Sequence, residues 1–192
     1  MLQIDAEDIL EKYVLGKDKD RFEILEEIYV TGAKVTFEIN SETISFPREI
    51  AGNKEIAKVL SSDFNKNFDH VKTYCLSREF PLIAGGTILK QKWLVLMREK
   101  ASRRVRIGSG FYDWHFTTKS DSQNRIEHHH IFIHEMLDLA DWSLNSLLDL
   151  QKRFSYPWLE QDRAINVLES YRELKAVIGF LKTEIREGKQ PS

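Results

Sequence analysis

Hydrophobic positions recur at helical spacing near both ends of the chain and at strand spacing between them. Ile9, Leu10, Tyr13 and Val14 fall three and four apart, as do Phe22, Leu25, Ile28 and Tyr29 after the charged KDKD connection; they predict two short helices that each need a surface to cover. VTFEI follows as a strand, and ISFP stops at Pro47, which has no N–H to give to a central ladder. In GNKEIAKVLSSDF, Asn53 stands in a capping position before a short helix that turns Ile56, Val59, Leu60 and Phe64 inward. The period then drops. VKTYCLSR, TILKQKWLVLMRE, RRVRIGSGFYDWHFTT and RIEHHHIFIHE combine β-branched and aromatic residues with partial alternation, and AGG and KSDSQN separate some of them like turns. Connections this short exclude parallel crossovers, so the four strands form an antiparallel meander. Helices preceding such a sheet predict an α+β domain with the helices on one face.

From Trp142 the helical spacing returns. YPWLEQDRAINVLESYRELKAVIGFLKTEIREGK holds no turn-like cluster, and Pro157 suits a first helical turn. Ala164, Val167, Tyr171, Leu174, Ile178, Leu181 and Ile185 alternate spacings of three and four over about three heptads. They predict one helix of roughly 28 residues, about 40 Å long. Such a helix packs on its own domain or pairs with a second copy, which makes a homodimer the expected assembly. The chain therefore divides into a domain over residues 1–136 and a helical extension over 137–192 that packs on it or forms an oligomer interface.

Composition narrows the class. Of 192 residues, 42% are apolar and 30% charged, which is soluble globular composition. The acidic opening MLQIDAEDILEKYVL is no secretory leader and no apolar run reaches membrane-spanning length, so a cytoplasmic chain without membrane contact is expected. Cys75 is the single cysteine; it excludes an internal disulfide or a multi-cysteine zinc site and reads as a small buried hydrophobe. A net charge of −2 gives no general attraction to nucleic acid, although KQKWLVLMREKASRRVR carries seven basic residues against one glutamate. That stretch reads as a hairpin with solvated polar positions.

The order helix, helix, VTFEI, FPREIAGNKEIAKVL, then a meander containing GSGFYDWHF resembles the SnoaL-like branch of the nuclear-transport-factor-2-like superfamily, over approximately residues 5 to 135. The resemblance implies a strongly curved antiparallel sheet wrapped against helices into a cone with a cavity. It implies a small, mainly apolar ligand, and isomerase or lyase chemistry is one of its outcomes; others are non-catalytic, which keeps a scaffold or interaction module using the C-terminal helix as the alternative. Dehydratases of this fold pair a histidine on the early meander strand with another on a later one. Here Cys75 stands near the first position and His115 lies on the later strand. An isomerase would need a positioned tyrosine with carboxylic acids, and Tyr13, Tyr29 and Asp113 are of those types.

Four of the six histidines lie in RIEHHHIFIHEM. Alternation puts His128, His130, Phe132 and His134 on one face, and His129 with Glu127 on the other. The neighbouring strand offers Asp113 and His115 on a common face. In cross-strand register, Asp113 could orient an imidazole that transfers a proton near neutral pH, which makes Asp113, His115, His128 and His130 the candidate catalytic set. Asp69 and His70 form a second acid–histidine candidate at a cavity rim. HHIFIHE lacks the His-Glu-x-x-His order of a metallohydrolase helix, and no glycine-rich phosphate or dinucleotide loop follows a strand, so neither metal nor cofactor is expected.

Overall fold

The computed structural model describes residues 3–76, 86–117 and 125–184. Arg78, most of AGG, KSDSQN and the heptad position Ile185 lie outside them. Helices α1 (Gln3–Asp18) and α2 (Phe22–Ile28) come first, followed by β1 (Tyr29–Ile39) and the short β2 (Glu49–Ala51). Gly52, at φ +89°, bends the chain from β2 into α3 (Asn53–Ala57), a conformation that only glycine adopts without strain. The helix continues through a π-helical stretch at Lys58–Asp63 into α4 (Phe64–Asn67), with Ile56, Leu60 and Phe64 buried. Asn53 does not cap it. Its side-chain amide instead donates to the Glu26 carbonyl at 3.1 Å, tying this helix to α2.

Strands β3 (Phe68–Leu76), β4 (Thr87–Glu99), β5 (Val105–Phe116) and β6 (Ile126–Leu139) form the antiparallel meander. The sheet as a whole is mixed. Strand β1 lies parallel to β6, with Lys34 opposite His128 and Ile39 opposite Ile133, so with the short β7 (Trp158–Leu159) at the far edge the order is β2-β1-β6-β5-β4-β3-β7. Gly110 permits a close approach between strands: a Cβ there would lie 1.9 Å from the Phe132 carbonyl oxygen and 2.6 Å from Trp93 Cζ2.

Both faces of the sheet are covered. One packs against α1 to α4 through Trp93, Val95, Met97, Tyr112, Trp114, Ile131 and Ile133. The other, through Tyr74, Leu94, Leu96, Val105 and Ile107, lies beneath the C-terminal extension. The first face is called inner here and the second outer.

The extension corrects the expectation of one long helix. It consists of α5 (Leu144–Lys152), β7 (Trp158–Leu159), α6 (Gln161–Leu168), a 3-10 turn (Arg172–Leu174) and α7 (Lys175–Lys182). Its apolar stripe lies on the chain's own sheet: Ala164, Leu174, Ile178 and Leu181 are buried there, and Tyr171 packs on Trp142 at 4.9 Å. Short pieces follow a curved sheet where a straight rod of such length cannot, and the stripe is thereby closed to a coiled-coil partner. Strand β7 also adds to the sheet edge, parallel to β3. From there the extension reaches α1, as Trp158 Nε1 donates to Glu11 at 2.7 Å and the Tyr156 hydroxyl donates to Asp18 at 3.0 Å.

Candidate functional site

A bulge decides where the histidines point. Ile126 pairs with Phe116 and His128 with His115, which leaves Glu127 without a cross-strand partner. An extra residue resets the alternation. Ile126 and His129 therefore both turn to the inner face and are buried, while His128 and His130 turn outward and stay half-buried.

On the outer face the register brings His130 opposite Asp113 and His128 opposite His115. The His115 and His128 rings are 5.2 Å apart. Thr36, arriving on β1, places its hydroxyl 3.1 Å from His128 Nε2 and 2.9 Å from His130 Nδ1. Asp113 faces a different partner: Lys90 donates to it from its backbone N–H at 2.7 Å and from Nζ at 3.1 Å. Burial, then the neighbouring imidazoles His115 and His130, holds His128 below its usual pKa. Burial lowers His130 as well, with Asp113 and Glu38 opposing. His134 is covered by α7, stacked on Phe180 at 4.5 Å. The candidate catalytic set is thus gathered in one cluster, but on the sheet face opposite the cone interior. Tyr13 and Tyr29 are inside and Asp113 outside, so the isomerase-type combination is not assembled. The Asp69–His70 pairing is also corrected, because Asp69 takes a bidentate bond from Arg98 at 2.8 and 2.7 Å, which holds its carboxyl below the usual range. Among the described residues, no group of three or more His, Cys, Asp or Glu side chains is arranged to hold a metal ion.

His129 is the histidine inside the cone. Its ring stacks on Trp114 at 3.7 Å, meets Tyr13 and Tyr112 edge-on at 5.1 and 4.9 Å, and sets Nδ1 2.8 Å from the Tyr29 hydroxyl. Complete burial holds it well below its ordinary pKa, with His128 and His130 adding repulsion, so the ring is neutral. Burial likewise pushes the Tyr13 phenol and the Cys75 thiol up, so neither ionises near neutral pH.

Beside this aromatic box lies the interior cavity, ≈ 40 Å³, walled by residues such as Phe37, Phe46, Trp93, Val95, Met97 and Ile133. Its exposed wall is almost entirely carbon. Ligand pockets generally span about 300–1,000 Å³, so the space as it stands admits only a few atoms. A groove of ≈ 490 Å³ adjoins it and shares Ile44, Phe46 and Phe64 with it.

Close to the cavity, Lys17 and Asp18 form a buried ion pair at 3.2 Å. Asp18 also accepts from the Thr73 N–H at 2.6 Å and from the Thr73 hydroxyl at 2.8 Å. KDKD has the pattern of a charged connection between α1 and α2. Its first two members instead end α1 inside the protein. The Phe46 wall was equally hidden, since ISFP reads as a failed strand.

No protein-family description matches the chain, and no curated protein does. Solved structures do. A hexachlorocyclohexane dehydrochlorinase (LinA) of type 2 aligns with TM-score 0.61 at 12% identity, over 73% of this chain and 90% of its own. The type 3 enzyme from Novosphingobium barchaimii aligns at 0.58 and 12%, over 73% and 92%. A nuclear transport factor 2 (NTF2-like) superfamily protein from Salmonella enterica serovar Typhimurium aligns at 0.55 and 11%, over 74% and 94%. Identities this low establish the fold alone. The chain has the NTF2-like α+β fold, extended at its C-terminus by helices that cover the outer face of the sheet.

Proposed function

We propose that the protein binds a small, mainly apolar molecule within the cone. The observation that carries this reading is the carbon-walled interior space, bordered on one side by a segment of irregular chain and an outer groove rather than by the sheet. Apolar voids in well-packed proteins stay dry and accept apolar guests. The comparison with a dehydrochlorinase supports a fold able to enclose such a guest. The reading ends at binding, because Asp113, His115, His128 and His130 stand behind the sheet from the cavity. Proton transfer by them would need a substrate on the outer face.

The test is a titration of the intact chain with small apolar probes, following the fluorescence of Trp93 in the cavity wall. Saturable binding is expected in the wild type. Ile133→Phe fills the space and should abolish it while leaving the circular dichroism spectrum and melting temperature close to wild type. Failure of every probe to bind the wild type would refute the reading.

A further inference from the structure

The wall between the cone interior and the outer groove is the chain's own segment from Ile44 to Pro47, where Ile44 and Phe46 line both spaces. Among the described residues, hydrogen bonds hold this segment at its two ends only. On one side the Asn40 N–H donates to the Ile133 carbonyl at 2.9 Å and the Thr43 hydroxyl donates to the Met136 carbonyl. On the other the Phe37 N–H donates to the Arg48 carbonyl at 3.0 Å. Among the described residues, no backbone hydrogen bond holds residues 44 to 47. Their position depends on the seating of Ile44 and Phe46, with Phe46 stacked on Phe37 at 4.7 Å and 4°. Both side chains are only partly buried. A stretch anchored by two half-buried side chains opens at far lower cost than the sheet beneath it. When Phe46 leaves, its own volume joins the ≈ 40 Å³ behind it, and the interior becomes continuous with the ≈ 490 Å³ groove.

The polar rim of the groove indicates what kind of head group fits. Lys66 pairs with Asp63 at 2.7 Å, Glu99 accepts from Arg106 at 3.0 Å, and Lys100 donates to the Asn65 carbonyl at 2.6 Å. Two carboxylates, Asp63 and Glu99, and two ammonium groups, Lys66 and Lys100, thus stand side by side on the rim, which offers no net charge of one sign to a charged head. A neutral head can replace its water with Ser45 and Asn67, which also line the groove. We propose that Phe46 is a displaceable plug: the tail of a neutral amphipathic molecule, such as an alcohol or amide of an apolar chain, takes its seat while the head stays in the groove. This rests on the binding reading above and adds the route, the competing side chain and the ligand class.

The probe is a straight-chain alcohol of about ten carbons with bromine on the far end, which quenches tryptophan fluorescence on contact. Saturable quenching is expected, and it should disappear in Trp93→Phe. Phe46→Ala should bind about tenfold tighter, because the tail no longer competes with a partly buried phenyl ring. The bromo-carboxylate and bromo-trimethylammonium homologues should bind at least tenfold more weakly than the alcohol. Equal affinity in wild type and Phe46→Ala, with Trp93 still quenched, overturns the plug and leaves the binding reading standing. A charged homologue binding as tightly as the alcohol overturns the ligand class. Absence of Trp93-dependent quenching by every homologue in both proteins overturns the binding reading itself. Should Phe46→Ala fail to fold, 4-fluorophenylalanine placed at position 46 of the otherwise unchanged chain gives the answer: its fluorine resonance moves to the solvent position on saturation, and an unmoved resonance overturns the plug.

Discussion

Lowering the pH from 7.5 to 5.0 should remove about 2 kcal/mol of folding stability through His129 alone. Its ring is fully buried between Trp114, Tyr13 and Tyr112, and its folded pKa lies well below the ordinary value of 6.5. The sign follows from proton counting: a histidine depressed in the folded state binds its proton first in the unfolded chain. Its contribution is therefore complete above pH 6.5 and is lost as pH falls from there toward the folded pKa. With the unfolded group near 6.5 and the folded one neutral throughout, the loss is about 1 kcal/mol at pH 6.0 and about 2 kcal/mol at pH 5.0. His128 and His130, also depressed but half-buried, add in the same direction and by less. Asp69 and Glu99, whose pKa values are lowered in the fold, lose their contribution only at more acid pH. Urea unfolding at several pH values measures the slope. The double variant Tyr29→Phe/His129→Phe removes both hydrogen-bonding partners together and should leave only the smaller slope that His128 and His130 contribute. If the His129 imidazole titrates near pH 6.5 in the folded protein by NMR, or if wild type and double variant lose the same stability, the reasoning fails.

Three further outcomes follow from the packing. Gly110→Ala drives a methyl group against the Phe132 carbonyl and Trp93; it should cost at least about 3 kcal/mol, seen as a lowered urea midpoint, and an unchanged midpoint would show that the strands separate freely there. Asp18→Ala leaves the Lys17 ammonium buried without its counter-ion and deprives Thr73 and Tyr156 of their acceptor; a loss of about 3–5 kcal/mol in the same assay is expected. Removing residues 143–192 uncovers Tyr74, Leu94, Leu96 and Ile107 on the outer face. Light scattering should then report association or aggregation, and a truncated chain that stays monomeric and melts like the full one would contradict an integral role for the extension.

The meander was legible because its strands satisfy local rules: β-branched and aromatic residues recur through VKTYCLSR and RIEHHHIFIHE, and turn-like residues separate some of the strands. What the sequence hides is register. Glu127 looks like any other strand residue, yet as the unpaired residue of a bulge it sends His129 inward beside Ile126. Strict alternation would instead have grouped His129 with Glu127. The heptad pattern from Ala164 onward marked a real apolar stripe, but period alone does not say whether a sheet or another helix covers it. Lys17 and Asp18 escaped notice for a similar reason. A charged pair at a helix end reads as solvated until a hydroxyl such as that of Thr73 arrives from a distant strand. The parallel union of β1 with β6 depends wholly on such distant partners.

That union also bears on how the chain reaches this shape. Tyr29 and His129, which meet inside the cone, are 100 residues apart in sequence. During synthesis β1 emerges long before the strand that will flank it, and the apolar faces of α1 and α2 wait uncovered while the meander is made. Contacts of such separation carry their loop-closure cost before they return any stabilisation, so they slow folding. The vulnerable species is then a nascent chain ending short of β6, with β1 as an unpaired edge and two helices without a sheet to cover.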